Sequence, residues 1–201
     1  MLITQTINKG IATMEFQKEL LQFSRQYIAR PVAEHFQIEE KIVPSMVLDI
    51  APFVMNALKV QIDISNGWEY VEYLLNQFHY LASSRAIAMD QCALELFGLE
   101  DNSKELLIEL FNKKYQISRS KIQRMLPTLV TYIITFISYQ RDALGVYGVI
   151  NYINHVVAYY QNKRNYRLLN HLYRKSNEKL NKSQTNIMGI LTTPSRTTKK
   201  K

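Results

Sequence analysis

The sequence predicts an all-α fold, a multihelical bundle of about six or seven helices with a basic C-terminal tail, and three observations predict it. Glycine and proline are scarce, six and five residues in 201, whereas a many-turned β-fold needs glycine at its tight turns. Apolar residues recur at helical spacing through most of the chain. At 47% hydrophobic and 21% charged, the composition is that of an ordinary soluble globular domain, in a chain long enough to bury a real core. The expected organisation is a flexible N-terminus over 1–9, a helical domain over 10–182 and a disordered basic tail over 183–201.

The elements follow in order. Gly10 to Arg30 places Ile11, Met14, Phe16, Leu20, Leu21, Phe23 and Ile28 at broadly helical spacing, and Pro31 is expected to stop or kink that helix. A second helix runs from Glu39 to about Gln61, with Pro44 in its first turns and Pro52 bending it. Asp63 to Gly67 reads as a loop in which Ser65 or Asn66 caps a helix from Trp68 to Leu81. Ser84 opens another that ends at Gly98, and Ser103 starts one reaching about Tyr115. Ser118 or Ser120 caps a long apolar helix through Gln140, whose segment Met125 to Ile137 should be the most buried of the chain. Its apolar run, Met125 to Gln140, has sixteen residues and falls short of the ~20 that span a bilayer. Asp142 to Gly148 reads as a break with Gly145 and Gly148 as its turn residues, and a last helix starts near Val149.

Charge is unevenly placed. Residues 1–162 carry 14 basic and 16 acidic side chains, a net of −2, whereas 163–201 carry eleven and one, a net of +10. Such asymmetry points to an anionic partner. The interleaved aromatic and basic run that begins at Tyr159 and Tyr160 supplies candidate polyanion-binding residues: Lys163, Arg164, Tyr166, Arg167, Arg174, Lys175, Lys179 and Lys182. Tyrosine can stack on bases while the cations neutralise phosphates. A solvated helix face with its tyrosines packed inward reads the same way. Attachment to a membrane surface fits less well, because tyrosine is less lipophilic than the Leu, Phe or Trp of an interfacial helix.

No catalytic constellation emerges, so the chain reads as non-enzymatic, with no catalytic, metal or cofactor residues to name. Gly145-Val146-Tyr147-Gly148 lacks the Lys-Ser/Thr of a phosphate-binding loop. The histidines His35, His79, His155 and His171 never recur at the spacing that puts two imidazoles on one helical face. Glu72 and His79 make the one pairing to weigh, and a buried or interfacial histidine is the better reading. Acid pairs such as Glu39-Glu40, Glu69/Glu72 and Glu100-Asp101 fall near helix N-termini, where carboxylates complement the helix dipole. The single cysteine, Cys92, excludes an internal disulfide, reads as a small core residue, and favours a reducing compartment. With no basic, apolar leader at Met1 to Phe16, a cytoplasmic location is expected.

Two stretches resemble each other. Val32 to Leu58 and Phe111 to Ile137 each contain an aromatic-Gln-Ile step, Phe36-Gln37-Ile38 and Tyr115-Gln116-Ile117. Each step is followed by a polar cap region and an amphipathic helix with a proline before its most apolar half. Pro52 lies 14 residues after Ile38 and Pro127 only 10 after Ile117, so alignment needs a one-turn gap; duplication and chance similarity both remain open.

The run Phe36-Gln37-Ile38 through Pro52-Phe53-Val54-Met55-Asn56-Ala57-Leu58 resembles the YidB-like bacterial family, in which a small all-helical domain carries a Leu-Gly-Val/Ile step followed by a helix ending in Leu-Pro-x-Leu. Leu96-Phe97-Gly98 through Met125-Leu126-Pro127 resembles the same signature again. The chain departs from the family in having Gln37 and Gln116 where it often has glycine, and the family implies no basic tail. The resemblance implies a multihelical bacterial domain of unknown biochemical role. Two functions therefore stand from sequence: a helical protein acting through protein–protein interaction, or a nucleic-acid-associated protein that binds phosphate backbone through its basic C-terminal region.

Overall fold

A computed structural model describes residues 15–63, 67–78 and 101–162. Among these, 94% are helical and none lies in a strand. Helix α1 (15–23) passes through a π-helical turn, Ser24–Ile28, into α2, Ala29–Phe36. A 3₁₀ turn, Glu40–Ile42, leads into α3, Val43–Ile62, and α4 is Gly67–Phe78. Helix α5 is Asp101–Tyr115, and the helical stretch Arg119–Asn162 is broken at Gly145 into α6 (119–144) and α7 (146–162).

The core is built on α3 and α6. Every residue from Met125 to Ser138 is buried, and so is every residue from Ile50 to Leu58, so the segment expected to be innermost is so. These two helices form the most extensive contact in the fold, with α4, α5 and the α1–α2 arm packed around them. Their buried surface is chiefly Val, Ile, Leu, Met and Phe, which makes removal of apolar area from water the dominant stabilising term. Pro52 and Pro127 sit inside these helices. Each withholds one N–H, and the carbonyls so released belong to half-exposed Leu48 and exposed Gln123, at the rim where water can reach them. Glu40–Ile62 is long and apolar enough to cross a bilayer by length and composition, a property the sequence reading had weighed only for the 125–140 run. With 72% of its most apolar 18-residue stretch buried inside the fold, its apolar surface already has a protein partner.

Three boundaries differ from expectation. Pro31 does not stop the first helix. The turn before it widens, so that the Ala29 N–H reaches the Ser24 carbonyl five residues back, and Pro31 falls in the opening turn of α2, where a missing N–H is tolerated. The break expected across Asp142 to Gly148 narrows to Gly145, whose φ of 71° and ψ of 175° suit glycine alone. Gly148 is helical instead, and its role is space: a Cβ there would stand 2.7 Å from the Leu144 Cβ. The expected Trp68 to Leu81 helix begins one residue earlier, at Gly67; its cap, Ser65 or Asn66, and the Ser84 to Gly98 helix lie outside the described residues.

Gly145 reverses the chain. The Phe16 ring stacks edge-on against Phe136, centroids 6.1 Å apart, and against Tyr152 at 5.7 Å. Sixteen residues of unbroken helix would separate those two rings by about 24 Å. Both can touch one phenylalanine only because α7 folds back beside α1. Gln17 Nε2 donates to the Tyr160 hydroxyl at 2.7 Å and secures the far end of that return.

The two aromatic-Gln-Ile steps form the same kind of corner. Gln37 and Gln116 both take left-handed backbone, with φ of 51° and 56°. At the first, the N–H groups of Gln37 and Ile38 both donate to the Ala33 carbonyl, closing the end of α2. At the second, the Gln116 N–H donates to the Asn112 carbonyl at 3.0 Å, and Asn112 Nδ2 donates to the Ile117 carbonyl at 2.8 Å. Each corner then touches the helix that follows the other. Lys121 Nζ on α6 donates to the Gln37 carbonyl at 3.1 Å, while Lys114 Nζ and the Tyr115 hydroxyl donate to Asp49 Oδ2 on α3.

Candidate docking groove

The π turn places an aromatic cluster at the surface. Phe23 stands at its centre, with ring centroids 5.0 Å from Tyr27, 5.4 Å from Phe136 and 5.9 Å from Tyr139. Phe136 is buried and Phe23 half-buried, whereas Tyr27 and Tyr139 are 41% and 39% exposed. Between the exposed rings lies an open groove of about 460 Å³, completed by Glu19, Gln22, Gln26 and Gln140. Its floor is apolar and its rim is amide and carboxylate, the composition of a binding cleft. Glu19 Oε2 accepts from Gln140 Nε2 at 3.2 Å and from the Tyr152 hydroxyl at 3.3 Å, so it joins α1 to both arms of the α6–α7 hairpin. Burial and the neighbouring Glu19 carboxylate push the Tyr152 hydroxyl well above the usual phenol range, keeping it a donor at any ordinary pH.

Local backbone explains the geometry. Single π turns insert extra backbone into a helix and occur disproportionately at functional sites. Here the turn carries Gln26 and Tyr27 on the groove side and buries Ser24, whose hydroxyl has no hydrogen-bond partner among the described residues. Pro31 deepens the effect, because it cannot supply the N–H that the Tyr27 carbonyl would receive in an uninterrupted α-helix. A second depression of about 510 Å³, lined by Lys18, Leu21, Gln22, Arg25 and Gln26, lies across the Gln22–Gln26 ridge.

The residues singled out from sequence are scattered. Lys163, Arg164, Tyr166, Arg167, Arg174, Lys175, Lys179 and Lys182 lie outside the described residues, as do His79, Cys92 and His171. Tyr160, at the start of that basic-aromatic run, is buried with its hydroxyl engaged by Gln17, so it packs inward, and Tyr159 meets it edge-on at 5.6 Å. His35 and His155 are exposed, His35 resting edge-on against Phe36. Glu39 pairs with Lys41 at 2.8 Å, and Glu69 falls in the first turn of α4. Among the described residues no cluster of His, Cys, Asp or Glu could hold a metal ion. Arg30, Lys41, Lys59, Lys114, Arg119 and Arg141 all form ion pairs with nearby carboxylates.

The groove residues were not visible as a set in the sequence. Phe23 read only as one of the apolar positions at helical spacing between Gly10 and Arg30. The available signal was Tyr27 following Phe23 by four positions just ahead of Pro31. Comparison with protein-family models, with curated proteins and with solved structures finds no match to this chain.

Proposed function

We propose that the chain is a cytoplasmic, non-enzymatic helical protein that works by binding another protein, with the aromatic groove between α1 and α6 as the docking face. The observation that carries this reading is the pair of partly exposed tyrosines, Tyr27 and Tyr139, packed on a half-buried Phe23. Tyrosine is among the residues that concentrate binding energy at protein interfaces, because it brings large, rigid contact area with few rotatable bonds. The test is capture of partners from lysate by the full chain and by a Tyr27→Ser/Tyr139→Ser variant, with and without nuclease. A nuclease-resistant partner lost in the variant supports the reading. Partners that vanish with nuclease, or that persist in the variant, contradict it.

A second reading is favoured by charge alone. The net of +10 over 163–201 supports binding of nucleic-acid phosphates through Lys163, Arg164, Arg167 and the basic residues after them. In that arrangement the near-neutral body positions the cationic segment.

A further inference from the structure

We infer that the groove takes a cationic side chain, an arginine or lysine presented by a peptide segment of the partner. The inference rests on the docking reading above and names the chemistry of that site. Among the described residues, Glu19 is the only charged one lining the groove, and it is an acid. Its carboxylate stands beside aromatic rings whose faces carry the negative lobe of the ring quadrupole. Phe23 supplies the floor, Tyr27 and Tyr139 the walls, and the amides of Gln26 and Gln140 the carbonyl acceptors that can satisfy remaining N–H groups. An anion would be repelled by Glu19 and by the faces of these rings. A purely apolar side chain would leave the carboxylate without a counter-charge.

Across the Gln22–Gln26 ridge the sign reverses, since Lys18 and Arg25 line the neighbouring depression. A segment that crosses the ridge is therefore matched when its cation enters the groove and an acid falls beside Lys18 and Arg25. Such opposed charges fix register and exclude the reversed orientation more than they add affinity.

The experiment titrates the full chain with a nine-residue Gly/Ser peptide bearing a central Leu-Arg-Leu, and with the same peptide carrying citrulline, the neutral isostere of arginine. Side-chain amide resonances of Gln22, Gln26 and Gln140 report occupancy. The expected result is saturable shifts with the arginine peptide, binding about tenfold weaker with citrulline, and loss of that difference in Glu19→Gln. Tyr139→Leu, which keeps an apolar wall without the phenol ring, should weaken the arginine peptide while leaving the melting temperature close to that of the parent. Equal affinity for both peptides means that the groove takes an apolar segment, and overturns the inference. No shift with either at millimolar concentration overturns it also. So does a shift that tracks protein concentration instead of peptide, which would mark the groove as a contact between two copies of this chain. If the arginine peptide fails but the Tyr27/Tyr139 variant still loses its protein partner, the docking reading survives and only the cationic chemistry falls.

Discussion

Tyr115 donates its hydroxyl to Asp49 Oδ2 at 2.5 Å, tying the residue before the left-handed Gln116 to the middle of α3. Lys114 reaches the same oxygen at 2.6 Å. Burial first, and then the Asp49 carboxylate, push the Tyr115 hydroxyl far above its ordinary value of 10.0. Burial acts in the same direction on Tyr132. A phenol whose folded pKa is raised stays protonated in the native state while the unfolded chain loses its proton above that ordinary value. Its stabilisation is therefore complete below about pH 10 and declines as the pH rises further. Denaturant titrations between pH 8 and 11 should show stability falling along the alkaline limb, and Tyr115→Phe should flatten that fall. At neutral pH the same substitution should cost about 1.5 kcal/mol, the low end for a hydrogen bond to a charged group, because Lys114 still holds Asp49. A variant that leaves the alkaline limb unchanged would show that Tyr115 is not among the groups responsible.

The left-handed glutamines give a prediction of opposite sign. A residue with a Cβ costs roughly 1–2 kcal/mol in this backbone region, and glycine avoids that at an entropic cost of about 0.5–1 kcal/mol. Gln37→Gly and Gln116→Gly should each stabilise the fold by a few tenths to about 1 kcal/mol, and the two gains should add. The hydrogen bonds at Gln37, its N–H donating to Ala33 and its carbonyl accepting from Lys121, are made by backbone atoms and survive the change. Equilibrium urea unfolding reads the result; a loss of stability in either variant would mean that the glutamine side chain matters more than its backbone strain.

How far the sequence reached can be judged at these same residues. Helical periodicity identified α3 and α6 as apolar, and scarcity of glycine excluded a β-fold, because both signals are local. Repetition of aromatic-Gln-Ile marked two corners. Glutamine nevertheless carries no intrinsic left-handed preference, so the conformation itself was hidden. Pro31 read as a stop or a kink because a π turn, which moves a proline into a tolerated position, has no sequence signature of its own. The groove needed α1 and its π turn to lie along α6, which is what brings Phe23 and Tyr139 together. Periodicity says which residues face inward, not which will meet across the fold.

The Gly145 reversal can be broken in two ways. Around Gly145 there is open space within 4 Å of a built Cβ, so Gly145→Ala tests backbone strain alone and should cost about 1–3 kcal/mol. Gly148→Ala tests crowding, since the new methyl would meet the Leu144 Cβ at 2.7 Å, and neither atom can swing away. Both should lower the melting temperature and loosen the packing of Tyr152 on Phe16, visible as a weakened nuclear Overhauser contact between the two rings. Parent-like stability in Gly145→Ala would mean that the chain reverses without the left-handed residue.

Within α6, Leu129 and Ile133 are fully buried. An unpaired carboxylate at either position costs several kcal/mol, against a total stability of roughly 5–15 kcal/mol for a domain. Leu129→Asp or Ile133→Asp should therefore abolish cooperative thermal unfolding, whereas Tyr147→Asp, at a site 85% exposed, should leave it nearly unchanged. Soluble, cooperatively melting Asp variants at 129 or 133 would contradict the placement of α6 at the centre.

The nucleic-acid alternative makes a prediction that does not depend on the groove. Residues 1–162 carry a net of −2 and 163–201 a net of +10, so phosphate binding would draw chiefly on the eleven basic residues of 163–201. Binding of that origin is sequence-indifferent, and the logarithm of the affinity falls linearly with log salt, by about 0.9 for each duplex phosphate neutralised. Removing 183–201 takes away Arg196, Lys199, Lys200 and Lys201 and should flatten the slope without changing the melting temperature of the body. Converting Lys163, Arg164 and Arg167 to Gln should weaken binding further. Tyr166→Ala should hurt single strands more than duplex, because only unpaired bases can stack on the ring. Tyr27→Ser and Tyr139→Ser should leave all of this untouched, which separates the two functions in one set of variants. Mobility-shift titrations with DNA and RNA at ~50 mM salt, where phosphate contacts are strong, decide the matter: if neither is retarded, the basic segment serves something other than nucleic acid.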